Sequence, residues 1–166
     1  MKKLLLLALF TVASLVSNAQ ATKPSPDATA SGMIGATKIT VKYAQPGVKG
    51  RNVWAGDLAP YGKVWRTGAN GATVIELDKD AKVEGKSLKA GKYLLFSIPG
   101  EKEWIIIFSK YDAKAWGAYD YKEANDVLRV TVPSKANEMT ERFTIAVEKS
   151  SVSLAWDKAK VAFAVN

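Results

Sequence analysis

The chain has 166 residues, and none of them is cysteine or histidine. Without cysteine no disulfide can staple the fold, even in an oxidising compartment, so packing alone must hold it. Without both residues, neither a Ser-His-Asp nor a Cys-His nucleophile can be assembled. Zinc, copper and haem lose their usual ligands as well. No metal site and no cofactor is expected. Carboxylate, lysine, tyrosine and arginine chemistry remains, and no spacing resembles a calcium loop. Arginine is scarce too. Arg51, Arg66, Arg129 and Arg142 are the only four, and lysine supplies the rest of the 24 basic residues. A chain that covers its surface with lysine and keeps few guanidinium forks uses them for geometry, in ion pairs or in a ligand site. Long helical periods are also missing.

The start of the chain is informative. Met1-Lys2-Lys3 is basic, Leu4 to Val16 is apolar, and Ser17 and Ala19 are small residues at the −3 and −1 positions of a cleavage site. This pattern is that of a secretory signal peptide over residues 1–19. The apolar run is shorter than the roughly 20 residues a bilayer span needs. No cysteine follows it, which excludes a bacterial lipoprotein. The expected mature protein is periplasmic or secreted, with no membrane span. Removing the leader takes two lysines and no acids, leaving 22 basic against 16 acidic residues and a charge of +6. Lysines and acids are interspersed, which argues for a solvated surface and against nucleic acid as a partner. A carbohydrate or an anionic small ligand suits the charge.

Residues 20–27, with two prolines, read as an extended linker, and 28–166 as one β domain. Ala28 to Ile34 is a weak first strand. In Lys38 to Tyr43 the apolar residues Ile39, Val41 and Tyr43 alternate with polar ones, the period of a half-buried strand. Val48 to Tyr61 fits no period. Thr73, Ile75 and Leu77 share one face of the next strand. Glu84 to Ser87 reads as a turn between two strands. Tyr93 to Ile98 and Trp104 to Phe108, joined by a Pro-Gly turn, are apolar on both faces and read as a central hairpin. Ser109 to Asn125 is irregular, with one helical turn expected at Tyr121 to Asp126. Val127 to Val132 is a strand with Arg129 on the face of Val127 and Thr131, and Pro133 to Asn137 a turn. Three alternating runs follow, around Phe143, Val152 and Val161. About nine to ten short strands with turns between them make an all-β fold, an antiparallel β-sandwich or jelly roll.

One stretch gathers unusual chemistry. Trp65 to Gly71, WRTGANG, places an indole, a guanidinium, a hydroxyl and an amide beside two glycines. Arg66 offers a planar fork of donors for a carboxylate, a phosphate or a pair of sugar hydroxyls. Asn70 can donate and accept, and an indole beside such donors is a sugar-binding arrangement. The alternative is architectural, with Trp65 in the core and Arg66 paired with Glu76 or Asp78. Arg129, within a strand, suits a carboxylate partner or a ligand. Trp116 and Tyr119, flanking Gly117, form either a stacking platform or a cap on the sandwich.

Six blocks occur in order: YAQPGVKGR (Tyr43–Arg51), PYGKVWRTGAN (Pro60–Asn70), LKAGKYLLFSIP (Leu88–Pro99), EWIIIF (Glu103–Phe108), AWGAYDY (Ala115–Tyr121) and DVLRV (Asp126–Val130). Together they resemble the exported domain-of-unknown-function family 2911 of Bacteroidetes-type bacteria, from about Pro24 to the C-terminus. The resemblance implies an exported β domain. It supplies neither substrate nor reaction. It draws attention to Tyr43, Arg51, Trp65, Arg66, Asn70 and Arg129, which lie inside the shared blocks. In that family an acidic residue often follows the VWRTGAN block. Here the position is Gly71, so a role for that acid is absent or passes to Glu76.

Three functions follow as expectations. The first is a non-catalytic binding module for a polar, carbohydrate or anionic ligand at the WRTGAN loop. The second is a structural envelope protein in which that motif is a buried polar staple. The third is a carboxylate-based hydrolase, which needs two acids across a cleft.

Overall fold

The computed structural model describes residues 23–166. The expected leader and its cleavage site lie outside the described residues. Ten strands run in order: β1 (Asp27–Ile34), β2 (Thr37–Ala44), β3 (Thr73–Leu77), β4 (Ala81–Val83), β5 (Lys86–Leu88), β6 (Gly91–Ile98), β7 (Glu103–Lys110), β8 (Asp126–Pro133), β9 (Lys135–Val147) and β10 (Ser151–Ala164). Among the described residues no helix is long and apolar enough to cross a membrane.

One layer is a six-stranded antiparallel sheet in the order β1-β2-β3-β6-β7-β8. The other is the β9–β10 hairpin. The small β4–β5 hairpin extends it, because Lys82 and Asn166 exchange backbone hydrogen bonds of 2.8 and 2.9 Å. The fold is therefore the expected antiparallel β-sandwich. Strand alternation explains the core. Ile39, Val41, Ile75, Leu95, Ile106, Phe108 and Val132 point inward from the large sheet. Phe143, Ile145, Leu154, Trp156, Phe163 and Val165 meet them from β9 and β10. Burying aliphatic and aromatic side chains of this size stabilises the fold by about 1.5–3 kcal/mol each. The outer faces of β6 and β7 are covered as well. Leu94, Phe96 and Ile107 form a second cluster beneath Val64, Ala115 and Tyr121. That cover explains why both strands are apolar on both faces.

Two readings of the chain are corrected. The runs around Val152 and Val161 belong to one strand, β10. Inward residues fall on even numbers up to Trp156 and on odd numbers from Val161. A straight strand would turn one of these sets to solvent, because side chains alternate with period two. The parity change is absorbed where the register with β9 shifts on both sides of Asp157, which has φ 52°. At each shift two residues of β10 pass against four of β9, so the extra residues of this β-bulge lie on β9, and the left-handed Asp157 turns the β10 side chains over. In addition, Pro133 to Asn137 is not a turn. Pro133 ends β8 and Lys135 begins β9, with Ser134 between them. The first half of β9 buries neither face and its sequence has no apolar alternation, so it looks like a loop. Between β7 and β8 the chain forms two 3-10 turns, Ala118–Asp120 and Glu123–Asn125.

Candidate functional site

The WRTGANG loop is built from its buried residues outward. Trp65 forms a single antiparallel bridge with Ser97 of β6, with backbone hydrogen bonds of 2.7 and 3.0 Å. Thr67 is fully buried, yet its φ is 54°. A β-branched residue in the left-handed region costs about 1–3 kcal/mol and needs surrounding support. Its hydroxyl donates to Ser97 Oγ at 2.9 Å, and its carbonyl accepts from Thr73 Oγ1 at 2.7 Å. Gly68 follows at φ 157°, where a Cβ would lie 2.9 Å from Thr73 Oγ1 and 3.0 Å from the Ala44 carbonyl. No other residue fits there. Asn70, at φ 59°, completes the reversal.

This fixed loop forms one wall of a cavity of about 270 Å3 at one end of the sandwich. Lys49, Arg51, Asp57, Arg66, Asn70 and Trp156 are among the residues that line it. Arg66 is half-buried. Its Nη1 donates to the Asn70 carbonyl at 2.7 Å. Its guanidinium also lies against Gly117, where a Cβ would come within 3.0 Å of Cζ. Arg51 anchors itself by donating from Nε to the Val48 carbonyl at 3.1 Å and from Nη2 to the Gly47 carbonyl at 2.7 Å. Among the described residues neither arginine makes an ion pair, and nor does Lys49. Three cations thus face the cavity against one lining carboxylate, Asp57.

The floor is aromatic. Trp65 and Trp156 stack at 5.3 Å with their planes 12° apart, and Phe143 meets Trp65 edge-on at 4.8 Å. Trp65 is 4% exposed and Trp156 1%, so they wall the cavity without offering an open ring face. The Trp156 Nε1–H is buried with no hydrogen-bond partner among the described residues. The opposite rim is the segment just before β1. The Pro24 carbonyl accepts from Arg142 Nη1 at 3.4 Å, the Ser25 carbonyl from Asn70 Nδ2 at 3.1 Å, and the Pro26 carbonyl from the Gln45 N–H at 2.9 Å. The stretch expected to be a linker is tied to the fold at three consecutive residues.

Of the six residues singled out in the sequence, Arg51, Trp65, Arg66 and Asn70 meet at this cavity. Tyr43 and Arg129 do not. The Tyr43 ring is buried, and its hydroxyl accepts from the Ile145 N–H at 3.0 Å, joining the two layers. Arg129 donates from Nε to Asp126 Oδ2 at 2.5 Å and from Nη2 to the Tyr121 hydroxyl, and it pairs with Glu123 at 3.4 Å. Tyr121 in turn donates to Asp126 at 2.8 Å. Burial raises the Tyr121 phenol above its ordinary pKa, with the Asp126 carboxylate as the next cause. The expected partners of Arg66 are engaged elsewhere. Glu76 pairs with Lys92 at 3.7 Å, and Asp78 accepts the Lys38 N–H at 2.7 Å. Glu76 lies outside the cavity lining. Among the described residues the lining contains no second carboxylate to complete a glycosidase pair with Asp57.

Lys49, Trp156 and the Pro24–Ser25 rim were not legible as lining residues, whereas Asp57 stood out as one of the available carboxylates in the stretch without period. Lys49 had a signal in hindsight, two positions before Arg51 in a stretch without period. Trp156 had none, because an inward strand tryptophan reads as core.

Fold and site together define an antiparallel β-sandwich with a cationic, aromatic-floored cavity at one end. The family described as "Protein of unknown function (DUF2911)" matches residues 25–165, and the chain belongs to it. No curated protein and no solved structure matches the chain.

Proposed function

We propose that the protein is exported, with residues 1–19 removed as a signal peptide, and that it binds an anionic, hydroxyl-bearing ligand, a sugar acid in the simplest case, in the cavity beside the WRTGAN loop. The observation that carries this reading is the convergence of Arg51 and Arg66 on one cavity with no carboxylate of the described residues paired to either. Fixed guanidinium forks without a protein acid are ready to take an external carboxylate or sulfate in bidentate fashion. Asn70 and Asp57 suit hydroxyl groups, as donor and acceptor and as acceptor. The strained Thr67 fits the same reading, since backbone strain collects at binding sites.

The test is calorimetric titration with galacturonic acid and with galactose. The acid binds and the neutral sugar does not, and 1 M salt weakens binding through screening. Arg66→Gln and Arg51→Gln each lower the affinity at least tenfold. Equal binding of both sugars, or variants that bind as the parent does, would overturn the reading. For export, the mass of protein recovered from its own cells should correspond to a chain starting at Gln20. An intact Met1 would contradict it.

A further inference from the structure

Resting on that reading, we infer that the ligand is an anionic oligosaccharide of at least two units, with its charged unit in the cavity and a neighbouring unit on Trp116. Of the five tryptophans, Trp54, Trp65, Trp104 and Trp156 pack on one another in the core. Trp116 alone stands out, 66% exposed. It lines an open groove with Asn70, Gly71, Pro24 and Ser25. Asn70, Pro24 and Ser25 also line the cavity, so cavity and groove lie on either side of one wall, which the Asn70 Nδ2 hydrogen bond to the Ser25 carbonyl closes at 3.1 Å.

The backbone that carries the exposed indole is held in place. The N–H groups of Trp116 and Gly117 donate to Asp120 Oδ2 at 2.7 and 3.2 Å, which fixes the 3-10 turn. The same turn presses Gly117 against the Arg66 guanidinium. The platform and the fork are therefore positioned by adjacent residues. An exposed indole on a rigid turn offers a flat apolar face to the C–H face of a pyranose, and the neighbouring Asn70 side chain, whose Nδ2 donates to the Ser25 carbonyl, can accept from a hydroxyl through Oδ1. A chain of sugars joins the two features better than an acidic peptide does. The groove lining holds one cation, Lys23, and one carboxylate, Asp27, paired with each other at 2.8 Å, so uncompensated charge is concentrated in the cavity and an aromatic face lies at the extension.

The experiment compares galacturonic acid, its linear trisaccharide, the neutral trisaccharide maltotriose and hexaglutamate, each titrated against the protein and followed by amide NMR shifts. The trisaccharide should bind about tenfold tighter than the monosaccharide, which corresponds to ~1.4 kcal/mol. In Trp116→Ala that ratio should fall to near one, and in Trp116→Phe part of it should remain. A trisaccharide no tighter than the monosaccharide, or a ratio that survives Trp116→Ala in a variant of unchanged melting temperature, overturns the extended site and leaves the cavity reading standing. Absence of binding by both acidic sugars overturns both. Hexaglutamate binding more tightly than the trisaccharide would make the ligand a peptide. Maltotriose binding equally well would remove the anionic unit.

Discussion

Arg66 carries the most weight of any side chain in this account, and its environment separates two roles. A buried staple would pair it with an acid, and its loss would leave that acid uncompensated. Among the described residues its side chain makes one hydrogen bond, to the Asn70 carbonyl, and packs on Gly117. A single bond of this kind contributes about 1 kcal/mol. Arg66→Gln should therefore lower Tm by only about 2–4 °C, measured by scanning calorimetry, while binding of a sugar acid falls at least tenfold. A drop much beyond 10 °C with binding retained would make Arg66 architectural. Gly68 behaves in the opposite way. It lines the cavity, but a Cβ there meets Thr73 Oγ1 and the Ala44 carbonyl, so its first effect is on the loop itself. Gly68→Ala should cost at least about 2 kcal/mol and lower Tm by roughly 5 °C or more. A melting curve that matches the parent's would show that the loop is not as rigid as described.

At the level of elements, the turn between β9 and β10 makes a prediction of its own. Glu148 accepts from Ser153 Oγ at 2.6 Å, from Lys160 Nζ at 3.1 Å and from Ser151 Oγ at 3.3 Å. The Ser153 hydrogen bond first, and Lys160 after it, hold its carboxyl below the usual range. A carboxylate depressed in the folded state adds stability above its unfolded pKa and loses it as pH falls through the folded value. Glu148→Gln should thus melt lower than the parent at pH 7, and the gap should shrink as pH drops below about 4. A gap that stays constant with pH would mean the Glu148 contacts are not electrostatic.

The same hairpin shows what the sequence could express. Strands with one buried face, such as β2 and β3, announce themselves because inside and outside differ in polarity at period two. The first half of β9 lacks that contrast, since Lys135 to Thr140 buries neither face and mixes Ala136 and Met139 among polar residues, and so it resembles a loop. The bulge at Asp157 hides in another way. It preserves a good inward pattern on each side but changes its parity, so one strand reads as two. The need for Asp157 there becomes visible only in space, where its carboxylate accepts the Trp54 Nε1–H at 2.9 Å.

For the molecule as a whole, the site is a product of distant segments. Arg66 and Asn70 were legible because they share a short motif with glycines. Arg51 drew notice through the scarcity of arginine. Their meeting was not legible, since it depends on Val48 to Tyr61 folding back over the end of the sandwich, held by the Val48 N–H on the Glu141 carbonyl at 2.8 Å and by the Lys49 N–H on the Glu141 side chain at 2.9 Å. Tyr43 and Arg129 had equal claims in sequence. Tertiary structure gives them other partners, the β9 backbone for Tyr43 and a carboxylate-phenol cluster for Arg129. Four arginines in one chain also provide an internal control. Arg129 is charge-compensated, and Arg51 and Arg66 are not.

That contrast sets the most direct measurement, an NMR titration of the arginine side-chain Nε–H signals with galacturonic acid. The signals of Arg66 and Arg51 should shift and saturate together, with that of Arg129 unmoved behind its bond to Asp126. A titration in which Arg66 and Arg51 stay still, or in which Arg129 is the one to move, would contradict the central claim that this cavity is the binding site.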